Sequence, residues 1–273
     1  MAEQMLKLYG KVYITEDTIH NKIFMKEMKL RGIEKVSSVD EIPYGAAYMC
    51  SAHGIAPSVL NTAEKNELTI VDGTCPIVKS IQKSVQKAAE QGKKIIIIGN
   101  RAHQEIISLL GYANNKGVYV VYNEVDINLL PSFDNEKVAY FTQTTLDTLT
   151  VEAVINALRA RIPHIESDTR DNICSATKER QNAVKKIAKS IDLFIIIGSL
   201  YSSNSRRLEE VAIESGAKRV IRIDSSDEID TTIFSEGIST IAITSGASAP
   251  EFLVEEVVEF LRNQIQDIRI ENC

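Results

Sequence analysis

The sequence predicts an α/β protein with parallel sheets, built from one unit used three times. Short β-branched runs alternate with helix-period stretches along the chain, the pattern of strand–helix–strand units. Two stretches repeat one plan: 24 positions separate Cys75 from Gly99 and Cys174 from Gly198, and the two cysteines lie 99 positions apart. A partial copy of the same plan precedes them.

In the second unit, Cys75 leads a helix with Val78, Ile81, Val85 and Ala88 on one face; Gly92 and the strand 95–98 follow, ending at Gly99. In the third, Cys174 leads a helix with Ala183, Val184, Ile187 and Ala188 apolar, then the strand 194–197, ending at Gly198. A further strand in each unit runs into a hydroxyl-rich loop, 138–141 into Thr142-Gln-Thr-Thr145 and 240–243 into Thr244-Ser-Gly-Ala-Ser248. The first unit has Gly10-Lys11 ahead of the strand 12–15, matching Gly92-Lys93, and a strand 46–50 running into Ser51-Ala-His-Gly54. Pro57 and Pro250 stand where helices begin, a place that tolerates a missing N–H. The expected divisions are 1–74, 75–173, 174–250 and a terminal helix and tail, 251–273, packing back on the first unit. In the second unit the cysteine lies 17 positions ahead of Gly92; the same offset from Gly10 falls upstream of Met1, so the repeat expects a third cysteine there and the chain reads as truncated or start-shifted.

The 31 basic and 37 acidic residues give a net charge of −6 with no basic block, which argues against a nucleic-acid partner. The apolar runs 95–98 and 193–197 are strand-sized, too short to span a membrane, and the first residues have no signal-peptide pattern. The expectation is a soluble cytoplasmic protein. Four cysteines in a chain with its own core point to metal ligation or burial rather than disulfides. Cys75 and Cys174 open helices, whose N-termini favour an anionic thiolate. Cys50 ends a strand, out of phase with that pair, and reads as core; Cys273 reads as incidental.

Seven motifs then follow in order: Ser51-Ala-His-Gly54, Asp72-Gly-Thr-Cys-Pro76, His103 with Glu105, Gln143-Thr-Thr-Leu146, Asp171-Asn-Ile-Cys174, Gly198-Ser-Leu-Tyr-Ser-Ser-Asn-Ser205 and Gly246-Ala-Ser-Ala-Pro250. This set resembles the signature of the 4-hydroxy-3-methylbut-2-enyl diphosphate reductases and covers essentially the whole chain. The resemblance implies three α/β units in a pseudo-threefold arrangement around a central [4Fe–4S] cluster. Each unit gives one thiolate: Cys75, Cys174 and the cysteine expected upstream. It implies reductive removal of an allylic hydroxyl, with electrons from a ferredoxin- or flavodoxin-like donor. The chain departs from the family at Gln104-Glu105-Ile106, where the family prefers Pro-Glu-Val after the histidine.

Three thiolates leave one iron free for an exogenous ligand, which removal of a hydroxyl requires. No Lys- or Arg-rich loop answers the diphosphate charge. His20, His53 and His103 follow strand ends in the first two units, and Ser202, Ser203, Asn204 and Ser248 do so in the third, where ligands of α/β sheets bind. Protonated imidazoles with hydroxyl and amide donors can hold phosphate oxygens. Glu105 is the expected general acid, with Thr144 relaying the proton or holding the hydroxyl, Gln143 fixing substrate or a water, and His103 beside both. Its bland alternative is a solvated helix-start carboxylate. His164 reads as surface. Two rival readings stay open here: a quinolinate synthase-like three-unit iron–sulfur enzyme, and a cluster-deficient diphosphate-binding protein without activity.

Overall fold

In the computed structural model the described residues are 2–17, 22–114, 116–146, 148–167, 175–235, 237–247 and 249–265. Three parallel sheets follow one another along the chain. The first holds β1 (Val12–Ile14), β2 (Ile33–Lys35), β3 (Ala47–Cys50) and β4 (Thr69–Asp72) in the order β2-β1-β3-β4. The second holds β5 (Lys94–Ile98), β6 (Val118–Val121), β7 (Val138–Thr142) and β8 (Glu166–Ser167) in the order β6-β5-β7-β8. The third holds β9 (Leu193–Ile197), β10 (Val220–Ile223) and β11 (Ile241–Ser245) in the order β10-β9-β11. Every pairing is parallel.

The helices repeat the same plan. One precedes the first strand of each sheet: α1 (Ala2–Tyr9), α4 (Pro76–Glu90) and α8 (Ser175–Ile187). One joins its first and second strands: α2 (Lys22–Leu30), α5 (Gln104–Tyr112) and α9 (Ser203–Glu214). One follows the third: α3 (Pro57–Lys65), α7 (Thr148–Arg161) and α10 (Glu251–Gln264). A short helix α6 (Glu124–Asn128) lies between β6 and β7. In each sheet the chain leaves the first strand for one neighbour and returns to place the third on the other side. The gap between first and third strands is therefore a topological switch point, where α/β sheets bind ligands.

The strands at the centres read as continuous apolar runs because helices cover both faces. Ile95 and Ile97 pack with Ile81 and Val85 of α4 and Leu109 of α5, while Ile96 and Ile98 pack with Val154 and Leu158 of α7. In the third sheet Phe194 and Ile196 meet Leu208 and Val211 of α9.

Two findings refine the expected divisions. The chain forms two compact units, Met1–Thr18 with Met28–Cys174 and Ile19–Glu27 with Ser175–Cys273, so the first two sheets share one body. The boundary at 74/75 separates sheets but not bodies, because the loop after β3 runs over α4 and α5: the Cys75 N–H donates to the Ala52 carbonyl at 3.0 Å, and a Cβ on Gly111 would lie 2.6 Å from that of Ala56. The second concerns the terminal helix: α10 buries Leu253, Val257 and Leu261 against Leu193, Ile195 and Ile197, because its apolar stripe fits a face of its own sheet. The tail 266–273, with Cys273, lies outside the described residues. No helix among the described residues is long and apolar enough to cross a membrane.

Candidate active site

The expected substrate-binding and acid residues among the described ones each follow, in sequence, a strand that flanks a switch point, whereas Cys75 follows the edge strand β4. His53 follows β3, His103 follows β5, Gln143 and Thr144 follow β7, and Ser202, Ser203 and Asn204 follow β9. His20, Cys174 and Ser248 lie outside the described residues.

Around the second sheet these loops form a compact polar cluster. His103 is the N-cap of α5, its extended backbone (φ −77°, ψ 139°) turning the chain into the helix, and its Nδ1 accepts the Glu105 N–H at 3.2 Å. That bond requires Nδ1 to be unprotonated. The His53 ring meets the His103 ring edge to face, centroids 5.2 Å apart at 84°. Glu105, in the first turn of α5, is fully buried, not solvated. The Thr144 backbone N–H donates to Oε1 and the Thr144 hydroxyl to Oε2, both at 2.8 Å. Burial nevertheless outweighs these bonds and pushes the Glu105 carboxyl up to about 7. A carboxyl that carries its proton near neutrality and touches a hydroxyl can deliver that proton through it. Gln143 bridges two loops: Oε1 accepts the Asn100 N–H at 3.0 Å and Nε2 donates to the Thr145 hydroxyl at 2.8 Å. These bonds fix the loops after β5 and β7 to each other.

The third sheet carries the same positions with different chemistry. The Ser202 Oγ accepts the Ser205 N–H at 3.3 Å and so caps α9, and the Ser205 hydroxyl donates to the Ser202 Oγ at 3.0 Å. Asn204 is 6% exposed, and among the described residues neither its Oδ1 nor its Nδ2 has a hydrogen-bond partner. A buried amide left so is costly unless a ligand completes it. A Cβ on Gly198 or on Gly246 would collide with the Ser205 hydroxyl, so both glycines are needed for these loops to meet over α9.

Among the four cysteines, Cys50 is 2% exposed in the core of the first sheet, and burial pushes its thiol up to about 12; it is core, as its position suggests. Cys75 is free and partly exposed, and as the N-cap of α4 it makes no side-chain capping bond. Its turn is held by Asp72, which accepts the Thr74 N–H at 3.0 Å and pairs with Lys79 at 2.6 Å. No three His, Cys, Asp or Glu side chains among the described residues gather as a metal site. His164 is exposed, bonded to the Glu136 carbonyl at 3.0 Å.

Two buried polar residues escape a reading by motif: Gln82 and Ser108, hydrogen-bonded at 2.7 Å. The signal was present in the helical periodicity, since Gln82 falls on the apolar face of α4 and Ser108 stands three residues beyond Glu105.

A repeated parallel α/β unit with buried polar side chains in the loops at its switch points is the plan of an α/β enzyme. The chain belongs to the LytB protein family, whose family model matches residues 1–262. It is 37% identical to a 4-hydroxy-3-methylbut-2-enyl diphosphate reductase of Psychrobacter arcticus, over 97% of this chain and 82% of the relative. It is 39% identical to the enzyme of that name from Acidothermus cellulolyticus, over 95% of this chain and 76% of the relative. The E-1-hydroxy-2-methyl-but-2-enyl-4-diphosphate reductase of Plasmodium falciparum superposes with a TM-score of 0.90 at 32% identity, covering 95% of this chain and 81% of its own.

Proposed function

We propose that the protein reduces (E)-4-hydroxy-3-methylbut-2-enyl diphosphate to isopentenyl and dimethylallyl diphosphates. The allylic C–O bond breaks, the oxygen leaves as water after taking a proton, and two electrons and a second proton enter the allyl framework. Glu105 is the observation that carries this reading, since loss of hydroxide is slow unless the oxygen is protonated as it leaves. Held by Thr144 and protonated near neutrality, Glu105 supplies that proton through the Thr144 hydroxyl: with the proton on Oε2, the carboxyl donates to Oγ1 and the hydroxyl donates onward. His53, His103, Ser202, Ser203 and Asn204 bind the diphosphate, together with His20 and Ser248. Gln143 holds the loops in place, and the Asn204 amide gains in the substrate the partner it otherwise lacks.

A [4Fe–4S] cluster fits Cys75, whose Sγ is free at a helix N-terminus. Cys174, at the matching position of the third-sheet unit, is a second proposed thiolate. When bound, such a cluster supplies electrons and an iron without a protein ligand. A ferredoxin- or flavodoxin-like protein is the proposed donor, and the cytoplasm, where free thiols persist, the proposed compartment.

The test is anaerobic reconstitution of the protein with iron and sulfide, followed by turnover with reduced viologen. Both isopentenyl products should form, and Cys75→Ser should lose the cluster. A fully loaded protein that leaves the substrate unchanged would sink the proposal, and full iron in Cys75→Ser would remove Cys75 as a ligand.

A further inference from the structure

We propose that Gln82, with Ser108, is a positioning residue: their hydrogen bond fixes the helix led by Cys75 against the helix led by His103 and Glu105, and seats the turn that carries His53. This rests on the proposed roles of those residues and adds what sets their geometry.

Gln82 is 4% and Ser108 1% exposed, each on the buried face of its helix, and the Gln82 Nε2 donates to the Ser108 Oγ at 2.7 Å. The bond joins α4 to α5. The turn after β3 rests directly on it. Gly54 has φ +76°, and a Cβ there would strike the Gln82 amide and lie 3.2 Å from both the Ser108 Oγ and the Thr74 Cγ2. His53 is the residue before Gly54 and Cys75 the residue after Thr74, and the Cys75 N–H donates to Ala52 in the same turn. Ser108 lies one helical turn beyond Glu105 on the same side of α5. Four site residues thus hang from the two ends of one bond.

Packing alone does not ask for this pair. A leucine and an alanine would fill the space without burying an amide and a hydroxyl, but apolar surfaces slide where a hydrogen bond is directional. The matching glutamine of the third-sheet unit, Gln181, is 1% exposed in α8 but has no hydrogen-bond partner among the described residues, so the bond between helices is particular to the second unit.

The test compares Gln82→Met, Ser108→Ala and the double variant, reading melting temperature, imidazole C–H resonances of the substrate-free protein, and kcat and KM of the reconstituted enzyme. Each single change orphans a buried group and should lower the melting temperature; removing both partners should restore most of it. Positioning requires that the double variant, though stable, keeps a kcat reduced roughly tenfold or more with little change in KM. The His53 and His103 resonances, which each ring displaces at 5.2 Å, should also move in it. A double variant with parental kcat and unmoved resonances would overturn the proposal. Should the parent protein fail on the diphosphate while the double variant still shifts the imidazole resonances, the substrate reading falls and the positioning role stands.

Discussion

The second and third sheets place the same loop positions over the same switch point and fill them to opposite effect. Offset by 99 positions, His103 corresponds to Ser202, each capping its helix, and Glu105 corresponds to Asn204, each buried two residues on. The loops after the third strands correspond as well: the Gln143 N–H bonds Ile98 and the Gly246 N–H bonds Ile197, both at 2.9 Å. The residue after each is Thr144 in one unit and Ala247 in the other. Thr144 bonds both oxygens of Glu105, giving a closed pair. Ala247 has no hydroxyl, and the Asn204 amide has no hydrogen-bond partner among the described residues, an open group. One backbone plan thus carries a hydrogen-bonded carboxyl in one unit and an unpartnered amide in the other, the contrast on which the proposed roles of acid and binding group rest.

The closed half has the largest consequence. Glu105→Gln should lower kcat by roughly 10² or more while iron content stays unchanged, measured by turnover with reduced viologen. Normal turnover would take Glu105 out of the mechanism and dissolve the contrast. In the parent, kcat should fall as pH rises through about 7, when the acid loses its proton. Stability follows the same group with a definite sign. The folded carboxyl titrates near 7 rather than the ordinary 4.5, so between those values the native state holds a proton that the unfolded chain has lost. Stability therefore falls as pH rises through that window, by about 3 kcal/mol, and stays lower above it. Denaturant titrations of Glu105→Gln should lack this component.

The open half comes next. Asn204→Ala should raise KM for the diphosphate about tenfold, the scale of a hydrogen bond to a charged group, and leave melting temperature unchanged or higher, because the amide has no partner to lose among the described residues. A large drop in melting temperature with KM unaltered would make Asn204 a structural residue and erase the difference between the two halves.

Much of this could be seen before any coordinates. The equal Cys-to-Gly spacings located two copies of the unit, and the strands 95–98 and 194–197 appear within a residue as β5 and β9 because continuous isoleucine suits a strand covered on both faces. Glu105 was also legible as a site candidate, through the motif around it. Its burial was not, since a carboxylate in the first turn of a helix is ordinarily wet, and only the way the loop after β7 meets α5 dries it. Nor was the destination of α10, because an amphipathic stripe states that a helix packs but not against which sheet. Gln82 and Ser108 were visible as polar breaks in apolar faces; that the two break the pattern toward each other depends on how α4 meets α5, which no local spacing records.

Thr144→Val tests the residue on which the contrast turns. It removes the hydroxyl that bonds Oε2 and leaves the backbone N–H on Oε1. With one lowering influence gone, burial should push the carboxyl still higher, so the alkaline limb of the pH–rate profile moves to higher pH while the plateau drops about tenfold from the lost relay. Thr144→Ser, which keeps the hydroxyl, should restore the limb. A Val variant whose profile coincides with the parent's would show that the hydroxyl neither holds nor passes the proton.

The smallest effect is expected in the first sheet, at a cysteine outside this division of labour. Cys50 ends β3 as Thr142 ends β7, yet its side chain lies in the core with Tyr48, Ala63 and Leu68. A thiol pushed up to about 12 is neutral at any working pH and gives no thiolate to a cluster. Cys50→Ala should cost about 1 kcal/mol from the small void left behind. Iron content, kcat and KM should match the parent in the same preparation. Iron lost in this variant but retained in Cys75→Ser would reverse the two cysteines' roles, placing the metal at a strand end where the repeat predicts a helix start.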